Sequence, residues 1–320
     1  MKIKRTWIIP GISLVMVLTT VVSADRIMQN FNRDWSFAKG DFDVASVIQP
    51  DYAAGWEVVQ LPHDWAISGP FDPKENGWAG KLPWRGVGWY RKSFTLDAAD
   101  KNRRVFLDFD GVMAFPKVYV NGQLAGQWDY GYMSFRVDAT PFVKFGQANI
   151  VAVCADTRKH GTRWYPGAGI YRKVTLTLCD PVHVAHWGVY ITTPEITDSQ
   201  ATVRIQTTLE NHLDKETIGT LETAILDPDG KPVASIQTET TVASGATPVL
   251  AQTLKFADPQ RWDIASPKLY TAKSTLKVAD KVVDTVTTPF GLRTFEFKAD
   301  DGFHLNGRRV QLYGVCLHHD

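Results

Sequence analysis

Three polar, aromatic stretches concentrate the side chains of this chain that could meet a ligand: LPHDWAISGPFD (61–72), RGVGWYRKSF (85–94) and DTRKHGTRWYPGAGIYR (156–172). The third is long and non-periodic, and mixes Arg, Trp and Tyr with Gly. Loops of that length inside a compact domain usually serve a function. Arg beside Trp suits a polyol, because the guanidinium donates paired hydrogen bonds while the indole covers the apolar face of a sugar ring. A structural reading competes with this one: Trp164 and Tyr165 plug the end of a sandwich, and Arg163 and Arg172 pair with Asp residues. Taken alone, the sequence supports both.

Other chemistries lack their residues. Asp108 and Asp110 flank Phe109 in a strand-like segment, where they face solvent or pair with Arg rather than act as an acid/base couple. Ser, His and Asp are present without the GxSxG nucleophile elbow. No GxGxxG follows a strand and no GxxxxGK occurs, so nucleotide binding has no support. The DPDG at 227–230 is too short for a calcium loop and reads as a turn. There is no CxxC and no Cys/His spacing that would hold zinc, so local spacing assigns no metal ligand. The three cysteines, Cys154, Cys179 and Cys316, form no disulfide framework. Cys154 and Cys179 either form a single bridge or stand as small buried hydrophobes. With 35 Lys+Arg against 34 Asp+Glu the net charge is +1, which gives no electrostatic footprint for nucleic acid.

The elements around these loops read as strands. Of 320 residues, 44% are hydrophobic and 22% charged, enough to bury real cores. Eight of the 11 Trp lie between Trp35 and Trp164, and only Trp262 lies beyond Trp187, so the two halves differ in kind. RVFLDFDG, KVYVNGQLAGQW, NIVAVCAD and KVTLTLCD alternate as strands do, with Asn121-Gly122 as a two-residue hairpin turn. The length of 25–180 suits a jelly-roll β-sandwich better than an immunoglobulin-type domain of about 100 residues. Asp180-Pro181 marks a boundary. From there to 289 the Thr/Val-rich, period-two pattern is that of a seven-strand immunoglobulin-like β-sandwich, which functionally reads as a spacer. Residues 290–320 hold a second Asn-Gly turn, Asn306-Gly307, followed by the apolar run Val310–Leu317, expected to be a fully buried strand. At the other end, 1–24 has basic residues, an apolar stretch and small residues before Ala24, as a cleaved signal peptide does. That pattern implies export, periplasmic or secreted; the competing reading is an uncleaved membrane anchor.

The succession LPHDW, GVGWYRKSF, FDGV, VYVNG, RWYPGAGIYR and GFHLNGRRVQLYGVCLHHD resembles glycoside hydrolase family 2, in particular its β-galactosidase branch, over essentially all of 25–320. The resemblance implies an all-β chain: a jelly-roll sugar-binding domain, an immunoglobulin-like domain and, at 290–320, the first strand of a (β/α)8 TIM barrel. It implies that His318, at the end of that strand, contacts the sugar in the −1 subsite, since barrel-strand ends are where a TIM barrel places its chemistry. It further implies that Asp320 binds a sugar hydroxyl and that Asp156, Arg163 and Trp164 reach over the barrel mouth. His319 stands where many relatives carry Glu. The family's acid/base glutamate follows an Asn on a later barrel strand and its nucleophile lies further on; no Asn-Glu dipeptide occurs in this chain. Retaining hydrolysis needs two carboxyls ~5–5.5 Å apart, so no catalytic residue is assigned here and the chain alone is expected to be inactive. By resemblance, the substrate is a β-galactoside or related oligosaccharide. No cofactor is evident, although the family implies a Mg or Na ion and a homo-oligomer for a full-length enzyme. The alternative is a non-catalytic carbohydrate-binding or adhesion module of two β-sandwiches.

Overall fold

The computed structural model describes residues 26–52 and 55–317, whose regular elements are almost all β-strands. Ten strands make the first unit: β1 (Ile27–Asn30), β2 (Trp35–Lys39), β3 (Glu57–Val59), β4 (Val87–Thr95), β5 (Arg104–Phe109), β6 (Lys117–Val120), β7 (Gln123–Gln127), β8 (Phe135–Asp138), β9 (Ala148–Asp156) and β10 (Val174–Cys179). They form two antiparallel sheets, ordered β1-β10-β5-β8 and β3-β2-β4-β9-β6-β7. Large side chains from both sheets, among them Trp35, Tyr90, Leu107, Phe109, Leu176 and Leu178, share one core. Asn121 and Gly122, with φ of 51° and 83°, turn β6 into β7. Both central residues of such a turn need positive φ, which Asn and Gly tolerate best. Asp108 pairs with Arg136, Nε to Oδ1 2.6 Å, as the strand reading expects. Cys154 on β9 and Cys179 on β10 lie in different sheets as free thiols, and burial pushes both up to about 12.

Seven strands make the second unit: β11 (Val182–Ile196), β12 (Gln200–Asn211), β13 (Thr217–Leu226), β14 (Pro232–Val242), β15 (Val249–Ala257), β16 (Tyr270–Val278) and β17 (Lys281–Phe290). They divide into β11-β12-β15 and β14-β13-β16-β17, the three-plus-four division of a small sandwich. On β15 the residues Leu250, Gln252, Leu254 and Phe256 turn inward, and their neighbours face solvent. The one polar member of that row, Gln252, donates its amide nitrogen to Leu221 O and Thr238 Oγ1, while its Oε1 is buried without a hydrogen bond.

The units meet across a buried ion pair. Arg26, just before β1, donates Nε and Nη2 to the two carboxylate oxygens of Asp284 on β17, at 3.1 and 2.7 Å. Asp284 is fully buried and also accepts from Val184 N at 2.8 Å, while Arg26 donates to Val184 O.

A third, small sheet joins β18 (Phe295–Lys298), β19 (Gly302–Leu305) and β20 (Arg308–Arg309), and Asn306-Gly307 turns β19 into β20. Asn306 Nδ2 donates to Trp262 O and Arg308 pairs with Asp263, tying this sheet to the second sandwich. The expected buried strand at 310–317 is corrected: the segment forms no strand, and Leu312, Tyr313, Val315 and Leu317 are all exposed. A parallel-sheet strand takes both its hydrogen bonds and its cover from neighbours; among the described residues the segment shows only the bond that Val310 N donates to Phe303 O, at its start. No helix among the described residues is long and apolar enough to cross a membrane. The leader, 1–24, lies outside those residues.

Removing one partner of a buried pair strands the other charge, which costs about 3–5 kcal/mol. Asp284→Ala should therefore lower unfolding stability by that amount in urea titrations. Arg158→Ala, which breaks only exposed pairs, should leave it nearly unchanged. Equal effects would show that the Arg26–Asp284 pair does not hold the seam.

Candidate functional site

The three motif segments, of which 87–94 lies in strand β4, meet at one end of the first sandwich. His63 N donates to Ile170 O at 2.9 Å and Trp65 N to Ala168 O at 3.1 Å, so the LPHDW and GAGIY segments run side by side like ladder strands. Gly169 exchanges both backbone bonds with Met113, at 2.7 and 2.9 Å. The glycines serve close approach. A Cβ on Gly88 would lie 2.4 Å from the Trp65 ring; one on Gly169, at φ +114°, would lie 2.1 Å from the Tyr90 hydroxyl. That hydroxyl bonds His63 Nδ1 at 2.8 Å. Tyr165 OH sits against both oxygens of Asp64 (2.7 and 2.8 Å), and burial followed by this carboxylate holds the phenol far above its usual range. Ala66, Ala79, Leu82, Trp84 and Ala168 close the packing beneath. Tyr165 thus does plug the sandwich end, as the structural reading expects.

The outer part of the 156–172 loop differs. Arg163 lies with its guanidinium 4.9 Å over the Trp78 ring and 5.1 Å over the Trp164 ring, and these two indoles meet edge-to-face at 6.0 Å. Arg163 is exposed and makes no ion pair among the described residues, against the expectation that an Asp would claim it. Trp78 is 52% exposed. A planar, always-charged donor held between two indoles is a surface that can pair with hydroxyls or a carboxylate while covering an apolar ring face. Sequence reasoning overlooks Trp78, in GWAG at 77–80. Its signal is only a Trp in a Gly-rich turn.

Asp156 ends β9 with its carboxylate engaged. Arg158 Nε and Nη2 donate to its two oxygens at 3.0 and 2.7 Å, and Arg158 Nη1 reaches Asp41 at 2.7 Å. The Arg158 guanidinium holds the Asp156 carboxyl below the usual carboxylate range. His160 lies between Trp84 and Phe115, and burial, then Arg85, push its imidazole below the usual value. His318 and Asp320 lie outside the described residues. The structure therefore brings together Arg163 and Trp164, adds Trp78, and sets Asp156 in an ion pair at the base of the same loop.

Local spacing gives no metal ligands, yet the fold assembles a donor set at the seam: His183, Glu210 and His212, whose ligand atoms all lie within 4.8 Å of one another. The signal was cross-strand register, with His183 opposite Glu210. A Mg or Na ion, as the family resemblance implies, wants an all-oxygen shell. This nitrogen-rich set does not fit it.

Residues 79–181 match the sugar-binding domain model of glycosyl hydrolases family 2, and residues 182–293 match a second domain model of that family. The chain is 41% identical over 300 residues to a Bacteroides ovatus protein named β-galactosidase BoGH2A, covering 92% of this chain and 35% of that protein. It is 33% identical over 318 residues to a Formosa agariphila β-glucuronidase, covering 92% of this chain and 32% of that one. The crystal structure of a family 2 member from Bacteroides cellulosilyticus superposes with a TM-score of 0.84 at 34% identity, over 92% of this chain and 39% of that chain. The chain thus spans about a third of the length of these curated relatives.

The glycine contacts give a sharp expectation for the site's frame. Gly169→Ala combines strained φ with a clash and should cost about 3 kcal/mol or more. Gly161→Ala, in the same loop with nothing within 4 Å, should stay within about 1 kcal/mol of the parent. Urea unfolding of both variants checks this, and a tolerated Gly169→Ala would refute the packed-frame description.

Proposed function

Because this chain belongs to glycosyl hydrolase family 2, we propose that it forms the non-catalytic front of an exported, retaining glycosidase acting on β-galactosides or related oligosaccharides. The observation that carries this reading is the ordered match of both family domains over 79–293, in a chain spanning about a third of each curated relative. In this reading, the first sandwich leans the Trp78–Arg163–Trp164 surface over a catalytic barrel. Arg163 donates to the substrate, the indoles shed water from the sugar face, and Asp156 keeps lone pairs free beyond those that Arg158 occupies. His318 and Asp320 would meet the sugar from the first barrel strand. The acid/base and nucleophile glutamates belong to later barrel strands, so the chain alone binds weakly and hydrolyses nothing.

A second reading concerns the sugar. Several relatives bear the name β-glucuronidase, and Arg163, exposed and without an ion pair among the described residues, suits a uronate carboxylate as well as hydroxyls. Which of the two is cleaved depends on barrel residues.

The test has two stages. The purified chain should show no turnover of aryl β-galactosides or β-glucuronides above the uncatalysed rate; turnover lost on a single substitution here would overturn the assignment. Residues 26–309 grafted onto the remainder of the Bacteroides ovatus relative should then restore hydrolysis. In that chimera, Arg163→Ala should lower kcat/KM about ten- to a hundredfold, from ~1.5–3 kcal/mol per charge-assisted bond, and Trp78→Ala about two- to tenfold, from ~0.5–1.5 kcal/mol per aromatic contact. The melting temperature should not move. A lower melting temperature with intact kinetics would mean that this surface only closes the sandwich end.

A further inference from the structure

We propose that His183, Glu210 and His212 form a site for one divalent transition-metal ion of the zinc type, at the seam between the two sandwiches. The three donors are placed by backbone geometry. His183 on β11 stands directly opposite Glu210 on β12, the cross-strand relation that brings side chains on one face together. His212 follows Glu210 by two residues and so returns to the same face. Its backbone N donates to Pro181 O, which extends the β11–β12 ladder by one more bond.

The tautomer of His183 is fixed from behind. Its Nδ1 lies 2.8 Å from the backbone carbonyl of Asp180, and a carbonyl only accepts, so Nδ1 carries a hydrogen. In the neutral ring, Nε2 then presents a lone pair forward. A ligating histidine is typically oriented this way, its far nitrogen bonded to a carbonyl or carboxylate. Nε2 is buried, in a side chain with no exposed surface, and has no hydrogen-bond partner. Glu210 Oε2 lies 3.4 Å from it and 2.9 Å from His212 Nε2. Lone pairs facing a carboxylate repel unless a proton or a cation lies between them.

The spacings suit a small ion. Zinc bonds of about 2.0–2.2 Å in a tetrahedron put neighbouring donors roughly 3.3–3.6 Å apart; the two pairs with Glu210 stand at 3.4 and 2.9 Å and the whole set lies within 4.8 Å, so small side-chain shifts would close it on one ion. The set is two nitrogens and one carboxylate oxygen, which favours zinc-like ions over Mg or Ca. Glu210 and His212 are each about a third exposed, leaving the fourth position open to water. Phe106 of the first sandwich covers the two imidazoles, at ring separations of 5.8 and 6.5 Å. The two guanidiniums over that ring, Arg104 and Arg136, are paired with Asp138 and Asp108, so neither presents an uncompensated charge to the ion.

The probe is Zn2+ itself, titrated by calorimetry at pH 7.5 into the tag-free, chelator-stripped chain. Co2+ serves as the spectroscopic stand-in. One equivalent should bind with Kd of about 1 μM or tighter, Co2+ should give the strong visible bands of four-coordination, and Zn2+ should raise the melting temperature. His212→Ala and Glu210→Gln alter partly exposed side chains and should leave the circular dichroism spectrum intact. Each should weaken Zn2+ at least about tenfold and abolish the thermal shift. The absence of stoichiometric binding would overturn the proposal, because the triad would then be a proton-bridged pair. Wild-type affinity in both variants would overturn it too, by locating the ion elsewhere.

Discussion

Asp284 is a carboxylate with no exposed surface, at the face where one sandwich meets the other. A charge so placed persists only when it is paired and hydrogen-bonded, and here three donors reach its oxygens: two from Arg26 and one from Val184 N. Arg26 leads directly into β1, the edge strand beside β10, so the pair pins the start of the first sandwich against the last strand of the second. Val184 is on β11, one residue after His183. The same clasp therefore sets where β11 begins and, through its register with β12, which side chains gather at the seam.

Within the first sandwich, the loops divide into frame and surface. The frame is backbone: His63 and Trp65 bonded to Ile170 and Ala168, with glycines where side chains would otherwise force the segments apart. Because the frame is saturated with hydrogen bonds and packed aromatics, the side chains projecting from it are held in place at small entropic cost on binding. Arg163 shows the result. Its guanidinium rests on two indoles instead of a carboxylate, so its donors stay available while its orientation is restricted.

The elements governed by local rules are legible in the sequence. Positive-φ turns at Asn121-Gly122 and Asn306-Gly307 and the strict alternation along β15 follow from residue type and from a side-chain period of two. What depends on partners distant in sequence is not legible. Val310–Leu317 has a strand's composition, but a strand exists only beside another strand. Tyr165 and Arg163 are two residues apart in one loop, yet one is tied to Asp64 and the other faces solvent against Trp78. His183 and Glu210 are 27 positions apart, a pairing that register creates and local spacing hides. For Asp156, the deciding neighbour was close by: Arg158 returns to claim it, a contact that i,i+2 proximity makes easy once the strand has ended.

The span of the seam pair also sets an order of events during synthesis. Arg26 and Asp284 are 258 positions apart, and β1 cannot pair until β10 has been made. Chains emerge from the ribosome N-terminus first, and domains fold as they become complete. The leading guanidinium must therefore wait through one whole sandwich and most of another before its counter-ion arrives. During that interval it stays hydrated, and the face that will become the seam is open. Closure then comes late and as a single long-range event, with the high contact order that slows folding. The nascent protein thus passes through a stage in which the first sandwich can be complete while the second still lacks β17, and synthesis of that strand both completes the second sheet and brings the counter-ion that closes the seam.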